Sequence, residues 1–198
     1  MAYDMDSLQD GCYENSTVLI NKFDIHDPQK LDKLEQTITA INAAEIELTA
    51  EFNHVNFAYY KQLHKRMFCE LYTWAGETRT VNMQKKGTRF CDYREIEKQG
   101  NRIFQGLQNA DYLTHMDFPA FIQEFTDLYC QLNMLHPFRE GNGRVQRLFL
   151  TLLIRNAGYD ISFSDIDPDL LMIATIKSVS GDIFLLQDIF KESIQGAD

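Results

Sequence analysis

Two segments of this 198-residue chain place apolar side chains every three or four positions, and that period confines the fold to packed helices. In the first, Phe57, Tyr60, Leu63, His64, Met67, Phe68, Leu71 and Tyr72 form one stripe, which Gly76 is expected to end. In the second, Phe118, Phe121, Ile122, Phe125, Leu128, Tyr129 and Leu132 form another, over about 117–134. The rest of the chain follows suit. Asp27 and Pro28 supply an N-cap and a first helical residue for a helix running to about Thr49. Further helices are expected at about 93–109, from Val145 to near Gly158, at about 167–178 and at about 182–194. Residues 1–26 read as a polar, irregular extension with one β-branched piece, "TVLI" (17–20). The expected fold class is all-α, a helical bundle with one short β-hairpin.

The hairpin falls at 77–92, "ETRTVNMQKKGTRFCD", where the helical period breaks. Thr78, Thr80, Val81, Thr88 and Phe90 favour strand, and "KKG" supplies a turn. Arg79, Lys85, Lys86 and Arg89 would make it a basic patch on a chain whose formal net charge is −10. So acidic a surface repels a nucleic-acid backbone, and direct nucleic-acid binding is not expected. No apolar run approaches the length of a membrane span, and "MAYDMDSLQDG" lacks a signal pattern, which together favour a cytoplasmic protein. Export by a specialised route would leave no mark in these residues. Cys12, Cys69, Cys91 and Cys130 form no CxxC pair and read as reduced thiols. The five histidines show no HExxH spacing, and His64, on an apolar stripe, reads as a satisfied core residue.

Chemistry concentrates in nine residues between two helices, "HPFREGNGR" (136–144). Gly141 and Gly143 permit close approach of a ligand, and their amides with that of Asn142 can form an anion nest. The N-terminus of the following helix adds free donors and the positive end of its dipole. Arg144 in the first turn works against that dipole, so helix stability does not explain it. With Arg147 three residues on, it can hold a polyphosphate. Glu140 would repel phosphate alone but suits a Mg²⁺ ion shared with phosphate oxygens. His136 is the local group that titrates near neutrality and can accept a proton from a hydroxyl. Phe138 is expected to anchor the loop in the core.

"HPFREGNGRVQR" (136–147) resembles, without departure, the signature of the Fic family, His-Pro-Phe-x-(Asp/Glu)-Gly-Asn-Gly-Arg-x-x-Arg. Three more stretches are similar to family features: "LHKRMFCELYTWAGETR" (63–79), "KKGTRF" (85–90) at a flap, and "VLINKFDIHDPQKLDKLEQ" (18–36). The resemblance spans about residues 13–195 and implies a Fic domain over 27–198, with an extension at 1–26 packed on it, a flap at 77–92 and the active-site loop at 136–144. It implies transfer of AMP from ATP to a Tyr, Ser or Thr hydroxyl of a target protein. His136 would be the general base, and Glu140 would hold Mg²⁺. Gly141, Asn142 and Gly143 would cradle phosphates, Arg144 and Arg147 would hold the outer two, and Asn133 would border the nucleotide. Lys86 and Gly87 would sit in the flap, on which a target segment would dock by strand addition. The Doc branch, which phosphorylates instead, carries Lys where Gly143 stands here. Other relatives transfer phosphocholine or uridylate. The alternative is a catalytically silent nucleotide- or protein-binding module on the same fold.

Many members of the family carry a helix with Ser/Thr-x-x-x-Glu-Gly/Asn, whose Glu blocks the second arginine, here Arg147. "TWAGET" (73–78) and "SVSGDI" (178–183) are the nearest stretches, and neither fits. The resemblance therefore implies a toxin restrained by a separate small antitoxin protein that supplies this Glu.

Overall fold

The computed structural model describes residues 4–5, 11–85 and 87–196, with side chains from residue 11 onward. Lys86, one of the expected flap residues, lies outside them. The order is β1 (Asp4–Met5), α1 (Pro28–Thr49), α2 (Phe57–Phe68), β2 (Met83–Lys85), β3 (Thr88–Arg89), α3 (Ile96–Asn109), α4 (Phe118–Leu135), α5 (Asn142–Asn156), β4 (Tyr159–Ile161), α6 (Pro168–Ser178), α7 (Phe184–Ser193) and β5 (Ile194–Gly196).

Helix starts follow side-chain caps. Asp27 accepts from the amides of Gln29 and Lys30, Asn56 from Tyr59, Asp117 from Ala120, and Asp167 from Asp169 and Leu170. Pro28, Pro119 and Pro168 occupy the first turns of α1, α4 and α6. Helix α5 is the centre of the bundle. Val145, Phe149, Leu150, Leu153 and Ile154 are wholly buried, and the helix packs against α1, α2, α4 and β4. Each such side chain contributes about 1.5–3 kcal/mol of transfer free energy. A helix buried on most sides holds its N-terminus rigidly, and that end carries the loop.

Three departures from the expected elements have local causes. The second helix stops at Phe68 although Leu71 and Tyr72 remain buried. The extension takes over there: the Lys22 amide donates to the Leu71 carbonyl at 2.8 Å and Lys22 Nζ to the Cys69 carbonyl at 2.6 Å. The flap is a hairpin as expected, but β1 adds a third strand antiparallel to β2, in the order β1-β2-β3. Strands β4 and β5, also antiparallel, pair the segment after α5 with the residues after α7. The "TVLI" piece contributes one isolated bridge, Cys12 with Leu19. Among the described residues no helix is long and apolar enough to cross a membrane.

Candidate active site

The last residue of α4 hands over to His136, which adopts a left-handed conformation at φ 41°. That turn swings the imidazole back towards the helix end. A carbonyl oxygen can only accept, so Nδ1 carries the proton it donates to the Asn133 carbonyl at 3.2 Å. Nε2 is left with the lone pair. The ring lies against Phe90 of the flap at 3.7 Å and 8°. Burial, with smaller contributions from Arg79 and Lys85, pushes the imidazole down to about 3, although the Asn133 carbonyl opposes the shift. The His136 imidazole is therefore neutral at physiological pH.

The loop is held from behind by three buried groups. Asn142 exchanges two hydrogen bonds with Phe138, donating to its carbonyl at 2.7 Å and accepting from its amide at 2.9 Å. Its side chain is thus committed to the loop's own fold, and its amide is the part available to a ligand. His64 is wholly buried, stacked between Phe138 at 3.8 Å and Phe68 at 4.6 Å. Its Nδ1 accepts from the Gly76 amide at 2.9 Å, which puts the proton on Nε2, 3.0 Å from the Glu140 carbonyl. Arg79 is 4% exposed and does not belong to a surface patch. Its guanidinium donates to the carbonyls of His136 at 2.8 Å, of Val81 at 2.6 Å and of Cys91. One buried arginine thus ties the flap to the backbone of His136.

Gly141 has φ 79°, and a Cβ built there would lie 2.2 Å from the Phe68 ring. Only glycine fits both conditions. Its amide donates to Oε1 of Glu140 at 2.7 Å, so the anion nest narrows to the amides of Asn142 and Gly143, the first two residues of α5. A Cβ on Gly143 would lie 3.4 Å from Arg147 Nη1, an ordinary contact.

A cavity of about 600 Å³ opens between the flap, the end of α4, the start of α5 and one face of α6. The structure brings Asn133, His136, Gly143 and Arg147 together there with Lys85 and Thr88 of the flap. Leu171, Met172 and Thr175 of α6 give it an apolar wall, and the Tyr129 hydroxyl is 2.9 Å from that of Thr175. Glu140 and Arg144 line a neighbouring cavity of about 290 Å³ on the α1 side. Lys85 borders both. A groove of about 610 Å³ between α1 and α5 joins Arg144 to Arg147 and Arg155.

The sequence did not single out Glu35. This α1 carboxylate, with only 10% of its side chain exposed, receives hydrogen bonds from Arg144 Nη2 and from the Tyr72 hydroxyl. Arg144 Nη1 also lies 3.3 Å from Thr39 Oγ1, the guanidinium covers the Phe68 ring at 4.9 Å, and Nη2 is 3.4 Å from Glu140 Oε1. Leu31, Glu35, Thr39 and Ile46 form the buried side of α1. An acid on a buried face needs a partner, and Arg144 and Tyr72 supply it.

A cavity of about 600 Å³ with a histidine, an arginine and a helix N-terminus at its wall defines a helical domain of the nucleotide-handling kind. The chain belongs to the Fic/DOC family, whose profile matches residues 54–154. It is 38% identical to a "Probable protein adenylyltransferase", y4lH of Sinorhizobium fredii, over 87% of this chain and 88% of that one. It is 31% identical to the "Probable protein adenylyltransferase Fic" of Escherichia coli K12, over 93% and 92%. The BepC protein of Bartonella tribocorum with bound AMPPNP superposes with a TM-score of 0.90 at 26% identity, covering 96% of this chain and 98% of that one. The N-terminal Fic domain of a Bep effector from Bartonella quintana with bound ADP gives 0.90 at 27%, covering 96% of each.

Proposed function

We propose that this protein is a protein adenylyltransferase that moves AMP from ATP to a Tyr, Ser or Thr hydroxyl of a target protein. The observation that carries this reading is the placing of His136. Its Nδ1–H is donated to the Asn133 carbonyl, which makes Nε2 the acceptor nitrogen of a ring that lines the cavity beside the start of α5 and lies against the flap. A silent binding module has no use for a base held neutral in this way.

The amides of Asn142 and Gly143, the dipole of α5 and the Arg147 guanidinium would hold the phosphates. Arg144 would meet their outer end from the α1 side. The apolar wall of α6 would take the base of the nucleotide, with Asn133 at its border. Gly143 leaves room that a lysine would fill, which favours the orientation that presents the α-phosphorus to the base. Glu140 fits a magnesium ion: it is one carboxylate beside the nest, with Oε1 oriented by the Gly141 amide, and Mg²⁺ bound with nucleotide is commonly held by one or two carboxylates plus phosphate oxygens. When bound, the ion would neutralise charge on the phosphates. His136 would take the hydroxyl proton as the target oxygen attacks in line, and pyrophosphate would leave.

Target docking falls to the flap. Strand β3 lies at the edge of the order β1-β2-β3, with Gly87 in the turn before it, and can pair with an extended segment. Residues 27–198 then form the catalytic domain, braced by the chain before Asp27. Restraint by a separate antitoxin fits the groove between α1 and α5. There Ala40 and Ala43 leave space for a helix, and the Arg147 guanidinium lines the groove to meet an acid, while Arg155 is already paired with Glu47 and Asp160.

Incubation of the pure protein with cell lysate and ATP labelled at the α-phosphate tests the reading. Label on a protein, lost in His136→Ala, is expected. Label only from the γ-phosphate would point to phosphorylation, and nucleotide binding with no label on any protein would point to the silent module. Expression alone should be toxic to a bacterial host, and harmless expression would remove the toxin role.

A further inference from the structure

The carboxylate of Glu35 reaches a guanidinium 109 residues along the chain, that of Arg144, on which the acid of the active-site loop also acts. Arg144 faces two acids. Nη2 is bonded to Glu35 and stands 3.4 Å from Glu140 Oε1, and Nη1 is turned to Thr39, also on α1. Thr39 is itself fixed, its hydroxyl donating to the Glu35 carbonyl at 2.7 Å. Behind Glu35 the Tyr72 hydroxyl completes the set. Burial first, then the Glu35 carboxylate, pushes that phenol up, so it stays protonated and donates. The cation is thus drawn towards α1, over the Phe68 ring, and away from full pairing with Glu140.

We infer that Glu35 is a positioning residue for the phosphate end of the site: by holding Arg144 against α1, it keeps the guanidinium from closing on Glu140 and leaves that carboxylate available to a divalent cation. The inference rests on the proposed role of Glu140. Its physical basis is the choice open to a half-buried guanidinium. Without Glu35, the acid still paired with it among the described residues is Glu140, four residues before it, and a cation shielded from water pairs with whatever acid it can touch. Glu140 with both oxygens drawn into such a pair has less to offer a metal. Groups that orient a metal-binding carboxylate from outside typically change metal affinity by about 10–100-fold when removed. Tyr72 and Thr39 belong to the same device, one step further back.

The test is calorimetric titration of the full chain with a non-hydrolysable ATP analogue, with and without Mg²⁺, alongside thermal unfolding. The quantity read is the gain in affinity that Mg²⁺ confers. In Glu35→Gln this gain should shrink by about tenfold or more, over and above any loss of ion-free affinity from displacing Arg144. Tyr72→Phe, which loosens Glu35 and keeps its charge, should lose part of the gain. Glu35→Asp should restore some of it. A merely structural role would weaken both titrations alike, and that result overturns the inference. So does a wild-type gain in Glu35→Gln. If Glu35→Gln does not fold, Tyr72→Phe decides, and a full gain there overturns it. Glu140→Gln separates the two levels: if it too keeps the gain, the role proposed for Glu140 falls and takes this inference with it. If Glu140→Gln loses the gain and Glu35→Gln does not, only the inference falls.

Discussion

The Nε2 atom of His64 donates to the main-chain carbonyl of Glu140 across 3.0 Å, from a helix 76 residues earlier in the chain. That bond, with the acceptor role of Nδ1 towards Gly76, makes one imidazole the peg on which the active-site loop hangs. His64→Phe keeps the stack on Phe138 but leaves a part-buried carbonyl and a part-buried amide unpaired. It should cost about 2–6 kcal/mol of stability, one desolvation penalty for each group. Urea unfolding reads this directly. AMP transfer should fall as well, and a variant with wild-type stability would remove His64 from the account.

Acid sensitivity follows from the same residue and from His136. Burial holds both imidazoles down, to about 4 and about 3 respectively. In the unfolded chain each titrates near 6.5. At pH 5 the unfolded state therefore binds up to two protons that the folded state refuses. Stability is fully present above the unfolded value and is lost as pH falls towards the folded ones, by up to about tenfold in the unfolding constant per proton per pH unit. Denaturation at pH 7, 6 and 5 should show that slope, and His64→Gln should flatten it by one proton. An equal slope in the variant would contradict the assignment.

The same depression shapes the rate profile. An imidazole held neutral down to about 3 imposes no acid limb in the physiological range. The kcat/KM for AMP transfer should show no His136 ionisation between pH 6 and 8. A limb near 6.5 that vanishes in His136→Ala would show that the resting imidazole is less sheltered than its packing implies.

His136→Ala should lower transfer by at least about 100-fold, the lower end of what a general base contributes. Nucleotide affinity should change little, since Arg147, Gly143 and the α6 wall remain in place. Filter binding and label transfer on the same preparation separate these quantities.

Gly141→Ala meets two obstacles, a left-handed backbone and the Phe68 ring at 2.2 Å from the new carbon. The expected loss is about 2–5 kcal/mol, from overpacking and left-handed strain together. Phe68→Leu should recover part of it in the double variant. Thermal unfolding of the wild type, the two single variants and the double variant closes the cycle. Additive losses would mean the ring is not the obstacle.

Most of the fold is legible from period and punctuation. Asp27-Pro28, Asp117 before Pro119, and Asp167-Pro168 each combine a cap with a first-turn proline, and α1, α4 and α6 begin where those residues stand. The loop is legible too, because the mixture of glycine, acid, base and arginine in nine positions serves no packing need. Strand pairs β1–β2 and β4–β5 escape because each spans two or three residues, too few for an alternating pattern to emerge. Glu35 and Arg79 escape for a different reason. Each is a charge that sequence reasoning assigns to water, and each is buried only because a partner more than 50 residues away in the chain meets it. The α6 wall of the cavity escapes likewise, since an apolar residue lining a cleft reads no differently from one in the core.

Phe90 packs flat on the imidazole of His136 and also belongs to the segment that follows β3. Whatever lands on that edge therefore leans on the proton acceptor itself. A polypeptide that settles badly should still be held, yet turn over slowly, so that discrimination among candidate proteins appears in the chemical step more than in the grip.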